Sequence, residues 1–200
     1  MSAEHTNGTA TTICLVRHGE TDWNVQQRIQ GHVDTPLNAL GREQARRAGL
    51  ALRGEDWAAL VSSPLARAWE TAAIIAAELG WSAAIEPGPD LMERAYGAAE
   101  GMTGAELRAS FPDGAIPREE TVESVRARGM AAVARIARRH PGQRVLVVSH
   151  GGLINAILAV ISHDEIGWGK TLLQNACLSI VSGDGDVWRI HAHNEVGHLC

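Results

Sequence analysis

Three short runs of consecutive apolar residues, ICLV (13–16), ALV (59–61) and RVLVVS (144–149), each stop on residues with no reason to be buried. The first stops on Arg17-His18-Gly19, the second on SSPLAR with Arg67, the third on SHGG with His150. Runs of this length that do not alternate with polar residues fit strands covered on both faces. Between them lie helical patterns. Asn38 can cap a helix through Arg53 with Gly54 as its stop, and Pro64 can open another in which Ala68, Thr71, Ala72, Ile75 and Leu79 share a face before Gly80. Strands alternating with helices of this length close through right-handed crossovers. The expected class is therefore α/β, a three-layer α/β/α sandwich with a mostly parallel central sheet. LSIVS (178–182) and VWRIHA (187–192) supply further strands.

From Tyr96 to about Arg118 the pattern weakens into Gly, Ala, Pro and polar residues. A helix then runs to His140 with Val122, Val125, Val133 and Ile136 as its apolar stripe. This exceeds a minimal crossover, so residues 94–140 are expected to form a small helical cap inserted before the fourth core strand. The 200 residues fit one domain with a real core. Residues 1–10 are expected to be disordered.

The balance of charge narrows the partners. A net charge of -5, with Lys170 the only lysine, leaves no generally basic face for nucleic acid or an anionic membrane. Cys14, Cys177 and Cys200 are odd in number and form no CxxC pair, which suits a reducing cytoplasm rather than a disulfide framework. MSAEHTNGTATT lacks a basic start followed by an apolar stretch, and no later run of apolar residues is long enough to span a bilayer. A cytoplasmic location is expected.

Ligands of an open parallel sheet bind beyond the carboxyl ends of its strands. Arg17 and Arg67 would bring two guanidinium forks to that end, and a helix starting near Gly152 would aim free N–H groups at the same place. Such a site suits a phosphoryl group. A neutral imidazole from His18 or His150 is a competent nucleophile there. A leaving alkoxide needs a proton, for which Glu93 in LMERAYG is the candidate acid.

The blocks LVRHGETDWN, RIQGHVDTPLNALGREQA, VSSPLARAWETA, LMERAYGAAEGMT and VVSHGG, in this order from Ile13 to Leu153, resemble the histidine phosphatase family, also called the phosphoglycerate mutase-like superfamily. The resemblance implies an enzyme, a phosphoric monoester hydrolase of the histidine acid type. His18 would become the phosphohistidine, and Arg17, Arg67 and His150 would hold the phosphoryl oxygens. Asn24 and Gly151 match phosphate-pocket positions, Glu93 the proton donor, and Gln30 with Gly31 a substrate-contacting turn. The implied partner is a small phosphorylated metabolite, with no cofactor and no metal. The oligomeric state stays open, a homodimer included.

Mutases of the same family share these groups. They resemble this chain through ERAYG, but carry a lysine where GMTGAE has Gly104 and a consecutive arginine pair further on, where the stretch from Tyr96 to Arg118 has Arg108 and Arg118 but no consecutive pair. A phosphatase is therefore expected over a mutase-type phosphoryl transfer, and both over a noncatalytic phospho-ligand scaffold, which would have no need of His18 and Glu93. The tail holds His191, His193 and His198; the alternate pair His191 and His193 would share one strand face and invites a zinc reading, but the third and fourth ligands are not evident.

Overall fold

The computed structural model describes residues 10–200. In chain order the elements are β1 (Thr11–Arg17), α1 (Asp22–Val25), α2 (Ala39–Ala51), β2 (Trp57–Ser62), α3 (Ala66–Leu79), β3 (Glu86–Pro87), α4 (Gly104–Ser110), α5 (Val122–Arg139), β4 (Arg144–Ser149), α6 (Gly151–Ile161), β5 (Leu178–Gly183) and β6 (Trp188–Glu195). They build one six-stranded sheet in the order β3-β2-β4-β1-β5-β6. The first four strands in that order pair parallel, and β5 and β6 close the edge as an antiparallel hairpin beside β1. The mostly parallel three-layer sandwich is what the apolar runs predict.

Alternation along the strands divides the core between two layers. Ile13, Leu15, Val145 and Val147 pack with Val125, Val133 and Ile136 of α5 and with α6. Their neighbours Cys14, Val16, Leu146 and Val148 face the other way, onto Ala48 of α2 and Ala72 and Ile75 of α3. Because both faces are covered, the runs show no polar residue at every second position. Among the described residues no helix is long and apolar enough to cross a membrane.

Several boundaries differ from the sequence expectation. Asn38 does cap α2, its side chain accepting from Gly41 N at 2.8 Å, but the helix ends at Ala51, before Arg53. Leu52 turns into the core at 5% exposure, and Gly54 takes φ +82 in the following turn. Pro64 does not open α3, whose N-cap is Leu65. A residue before proline is pushed to extended backbone. Ser63 accordingly continues the sheet, donating to Val148 O at 3.0 Å, and its hydroxyl accepts from Leu65 N at 3.3 Å. Gly80, at φ +65, ends α3 as expected.

The cap is smaller than 94–140. The last part of that span is α5, which lies on a face of the sheet as a layer helix, so only residues 94–121 cover the strand ends. They hold the turn Gly97–Ala99 and α4, and are strapped to the loop after α1 by an Arg28–Thr103 bridge and by Ile29 N donating to Met102 O at 2.9 Å. β3, two residues with a proline, has no periodicity to betray it. The disorder expected for residues 1–10 falls, Ala10 apart, outside the described residues.

Candidate active site

Sheet register brings the three strand ends together. Arg17, the last residue of β1, is the partner of Ser149, the last of β4, and Ser62 at the end of β2 is the partner of Val148. His18 and His150 each follow one of the paired residues, so their rings must come close. The centroids lie 5.2 Å apart, inclined at 55°.

Both imidazoles are buried. His18 Nδ1 lies 2.7 Å from Gly19 O. A carbonyl can only accept, so Nδ1 carries the proton and Nε2 keeps the lone pair. Among the described residues Nε2 has no hydrogen-bond partner. His150 Nε2 meets Ser63 Oγ at 2.8 Å, and its Nδ1 is left without a partner among the described residues. Burial first, then Arg67 and Arg17, hold the His18 pKa well below the ordinary histidine range. His150 is lowered in the same direction by burial and then Arg67, His18 and Arg17. Both rings are therefore neutral at neutral pH, as nucleophilic attack requires.

The two arginines are anchored before any ligand arrives. Arg67 is fully buried, with Nη1 donating to Val33 O at 3.0 Å and Nη2 to Gly31 O at 2.8 Å, which also fixes the loop carrying Gln30. Arg17 Nη1 donates to Leu173 O. The Nε of each lacks a partner among the described residues, and burial lowers the pKa of both. An anion placed between them would offset that desolvation. The cavity, about 190 Å3, is lined by Arg17, His18, Asn24, Gln30, Gly31 and Arg67, together with Arg28, Ile29, Glu93 and Tyr96.

The polar amides have one end committed. Asn24 Oδ1 accepts from Thr21 N and Thr21 Oγ1 at 3.1 and 3.0 Å, in the capping box of α1, so its NH2 is what it can offer the cavity. Gln30 Oε1 accepts from Thr35 Oγ1 at 2.6 Å and leaves its NH2 in the same way. Gly31, at φ +52, lies so close to Glu100 that a Cβ would fall 2.0 Å from its carboxylate, which explains the glycine in this turn.

Glu93 is buried to 8% exposure. Its carboxylate accepts from Arg94 N at 2.8 Å, Gly152 N at 3.0 Å and Leu153 N at 3.1 Å. The start of α6 thus serves the carboxylate, whereas the sequence assigned those N–H groups to the phosphoryl group. Gly151 is not part of the cavity wall. It packs against the Arg17 side chain, where a Cβ would sit 3.3 Å from Nε.

Ser63, Arg28 and Tyr96 belong to the site yet were not singled out as site residues by sequence. Ser63 lies inside the quoted SSPLAR block and Arg28 beside Gln30, so adjacency was the available signal. In the tail, His191 meets Ser182 Oγ at 2.7 Å and His198 Nε2 meets Ala176 O at 3.0 Å. Among the described residues no three His, Cys, Asp or Glu side chains gather as a metal-binding group.

The sequence profile of the histidine phosphatase superfamily (branch 1) matches residues 13–196. The chain belongs to this superfamily. Among histidine phosphatase relatives, the uncharacterized phosphatase PhoE of Bacillus subtilis is 43% identical over 94% of this chain and 97% of its own. The metal-independent phosphoserine phosphatase of Arabidopsis thaliana is 38% identical over 94% of this chain and 83% of its own. The solved structure of Bacillus stearothermophilus YhfR superposes with a TM-score of 0.87 at 33% identity, covering 94% of this chain and 99% of that one. The sandwich and its edge hairpin are therefore the histidine phosphatase fold.

Proposed function

We propose that this chain is a metal-independent phosphomonoesterase that hydrolyses small phosphorylated metabolites through a covalent phosphohistidine at His18. The reading rests on one observation above the others: His18 Nδ1 is committed to Gly19 O, which leaves the Nε2 lone pair beside a cavity walled by Arg17 and Arg67. Nε2 attacks phosphorus, the N–P bond forms, and the P–O bond breaks with its electron pair passing to the leaving oxygen. Glu93 supplies the proton that oxygen needs. Water then attacks phosphorus, Glu93 takes its proton, and the N–P electron pair returns to Nε2. Arg17, Arg67 and His150 Nδ1–H stabilise the equatorial oxygens, and removing one such donor typically costs about 10² to 10³ in rate. Asn24 and Gln30 orient the substrate. Nucleophile, charge stabilisation and proton transfer all come from side chains of the chain.

Hydrolysis rather than mutase transfer is supported by the short cap and by Arg28, whose guanidinium is already engaged with Gly101 O at 2.7 Å and with Glu106. A mutase has to hold a second anionic group and keep water out while the phosphohistidine waits.

The test is phosphate release from a panel of monophosphate metabolites with chelator present, with alkaline-quenched mass spectrometry of the peptide containing residue 18. An acid-labile phosphoryl adduct that disappears in His18→Ala, together with loss of turnover, is expected. Near-full turnover by His18→Ala would overturn the mechanism, and isomerisation of phosphoglycerate without net phosphate release would replace the hydrolase by a mutase.

A further inference from the structure

The geometry points to Arg128 and Glu120 as a positioning pair that sets the Glu93 carboxylate for proton transfer to the leaving oxygen. This rests on Glu93 being the acid proposed above. Arg128 lies in α5, on a face of the sheet and outside the cavity lining, yet its side chain reaches the segment that carries Glu93. Nη1 donates to Asp90 O at 2.9 Å and to Met92 O at 2.8 Å. Nη2 donates to Glu93 O at 3.3 Å and to Glu120 Oε2 at 2.8 Å, and Nε to Glu120 Oε1 at 3.0 Å. A guanidinium has five N–H groups, and here each has an acceptor.

Glu120 completes the clamp from the other side. Its carboxylate accepts from Ala95 N at 3.3 Å, its backbone N–H donates to Ala95 O at 2.8 Å, and its carbonyl accepts from Arg94 Nε at 2.8 Å. His32 Nε2 adds a second donor to Glu93 O at 2.8 Å. The main chain on both sides of Glu93 is thus tied down by groups on α5 and in the residues leading into it. Three carbonyls within four residues at the end of a single 3-10 turn cannot satisfy one another, and a planar fork has enough fixed donors to collect them. Pairing with Glu120 also neutralises the guanidinium, so the clamp brings no net charge up to the reacting carboxylate. With the backbone fixed, Arg94 N, Gly152 N and Leu153 N decide where the carboxylate oxygens rest.

Dependence on the leaving group separates positioning from simple support of the fold. A poor leaving group needs the proton from Glu93, whereas an activated one departs without it. We compare kcat/KM for phenyl phosphate and for 2,4-dinitrophenyl phosphate, with melting temperature measured alongside. Arg128→Lys keeps the charge but loses the fork, and is expected to lose about ten-fold or more with phenyl phosphate and less than about three-fold with the dinitrophenyl ester. Glu120→Gln, which keeps one acceptor, should show the same bias more weakly and serves if the lysine variant does not fold. In a Glu93→Gln background, Arg128→Lys should add no further loss with phenyl phosphate. Equal losses with both esters in a folded variant would overturn the pairing role. If Glu93→Gln steepens the leaving-group dependence and neither clamp variant does, the pair alone is overturned. If Glu93→Gln leaves the dependence unchanged, Glu93 is not the acid and both readings fall.

Discussion

Gly152 donates its backbone N–H to the Glu93 carboxylate at 3.0 Å, across 59 residues of chain, and approaches so closely that a Cβ would lie 2.4 Å from Oε1. The first turn of α6 is therefore built around the Glu93 carboxylate, and no side chain fits there while that carboxylate keeps its place.

Gly152→Ala should consequently displace Glu93. A loss of about 10² in kcat/KM on unactivated esters is expected. Gly151→Ala, whose Cβ would meet Arg17 Nε only at 3.3 Å, should be milder. Steady-state kinetics of the two variants check the order, and a Gly152→Ala protein as active as Gly151→Ala would contradict it.

Ser63→Ala removes the partner of His150 Nε2. A buried imidazole nitrogen left unpaired costs about 1 to 3 kcal/mol, and the ring loses the contact that would hold it for the proposed role of Nδ1 at the phosphoryl group. Weaker inhibition by inorganic phosphate should accompany a lower melting temperature. Unchanged phosphate affinity would show that Ser63 does not orient the ring.

Acid should destabilise the protein through His18 and His150. Their folded pKa values lie below the unfolded value of about 6.5, so below that pH the unfolded chain binds protons that the folded one refuses. The stability they contribute is complete above about pH 6.5 and falls with decreasing pH at up to about 1.4 kcal/mol per pH unit for each ring, until the folded pKa is reached. Denaturant titrations from pH 8 to 5 should show this slope, and His150→Asn should flatten it. A flat wild-type profile would mean that the rings are protonated in the folded state.

Thiol chemistry should be confined to one position. Burial pushes the Cys14 thiol up to about 12 and Cys177 up to about 11, whereas Cys200 is exposed. An aromatic disulfide reagent at pH 8 should titrate one thiol in the native protein and all three after unfolding. Rapid reaction of a second thiol in the native state would show that the core opens at β1 or at the segment before β5.

Residues that act through their own segment were legible in the chain. The doubly covered strands wrote themselves as unbroken apolar runs, Asn38 and Gly80 marked helix ends through local hydrogen bonding and φ, and Arg17, His18 and Arg67 marked strand ends that converge on one cavity. Residues that act through a distant partner were not. The short β3, the place of α5 on the sheet, the Ser63–His150 contact and the assignment of the α6 N–H groups to Glu93 follow from how three layers stack and in what register the strands pair. Local periodicity records which face of an element is apolar, but the partner of a polar atom sixty or ninety residues away is decided only when the layers close around it.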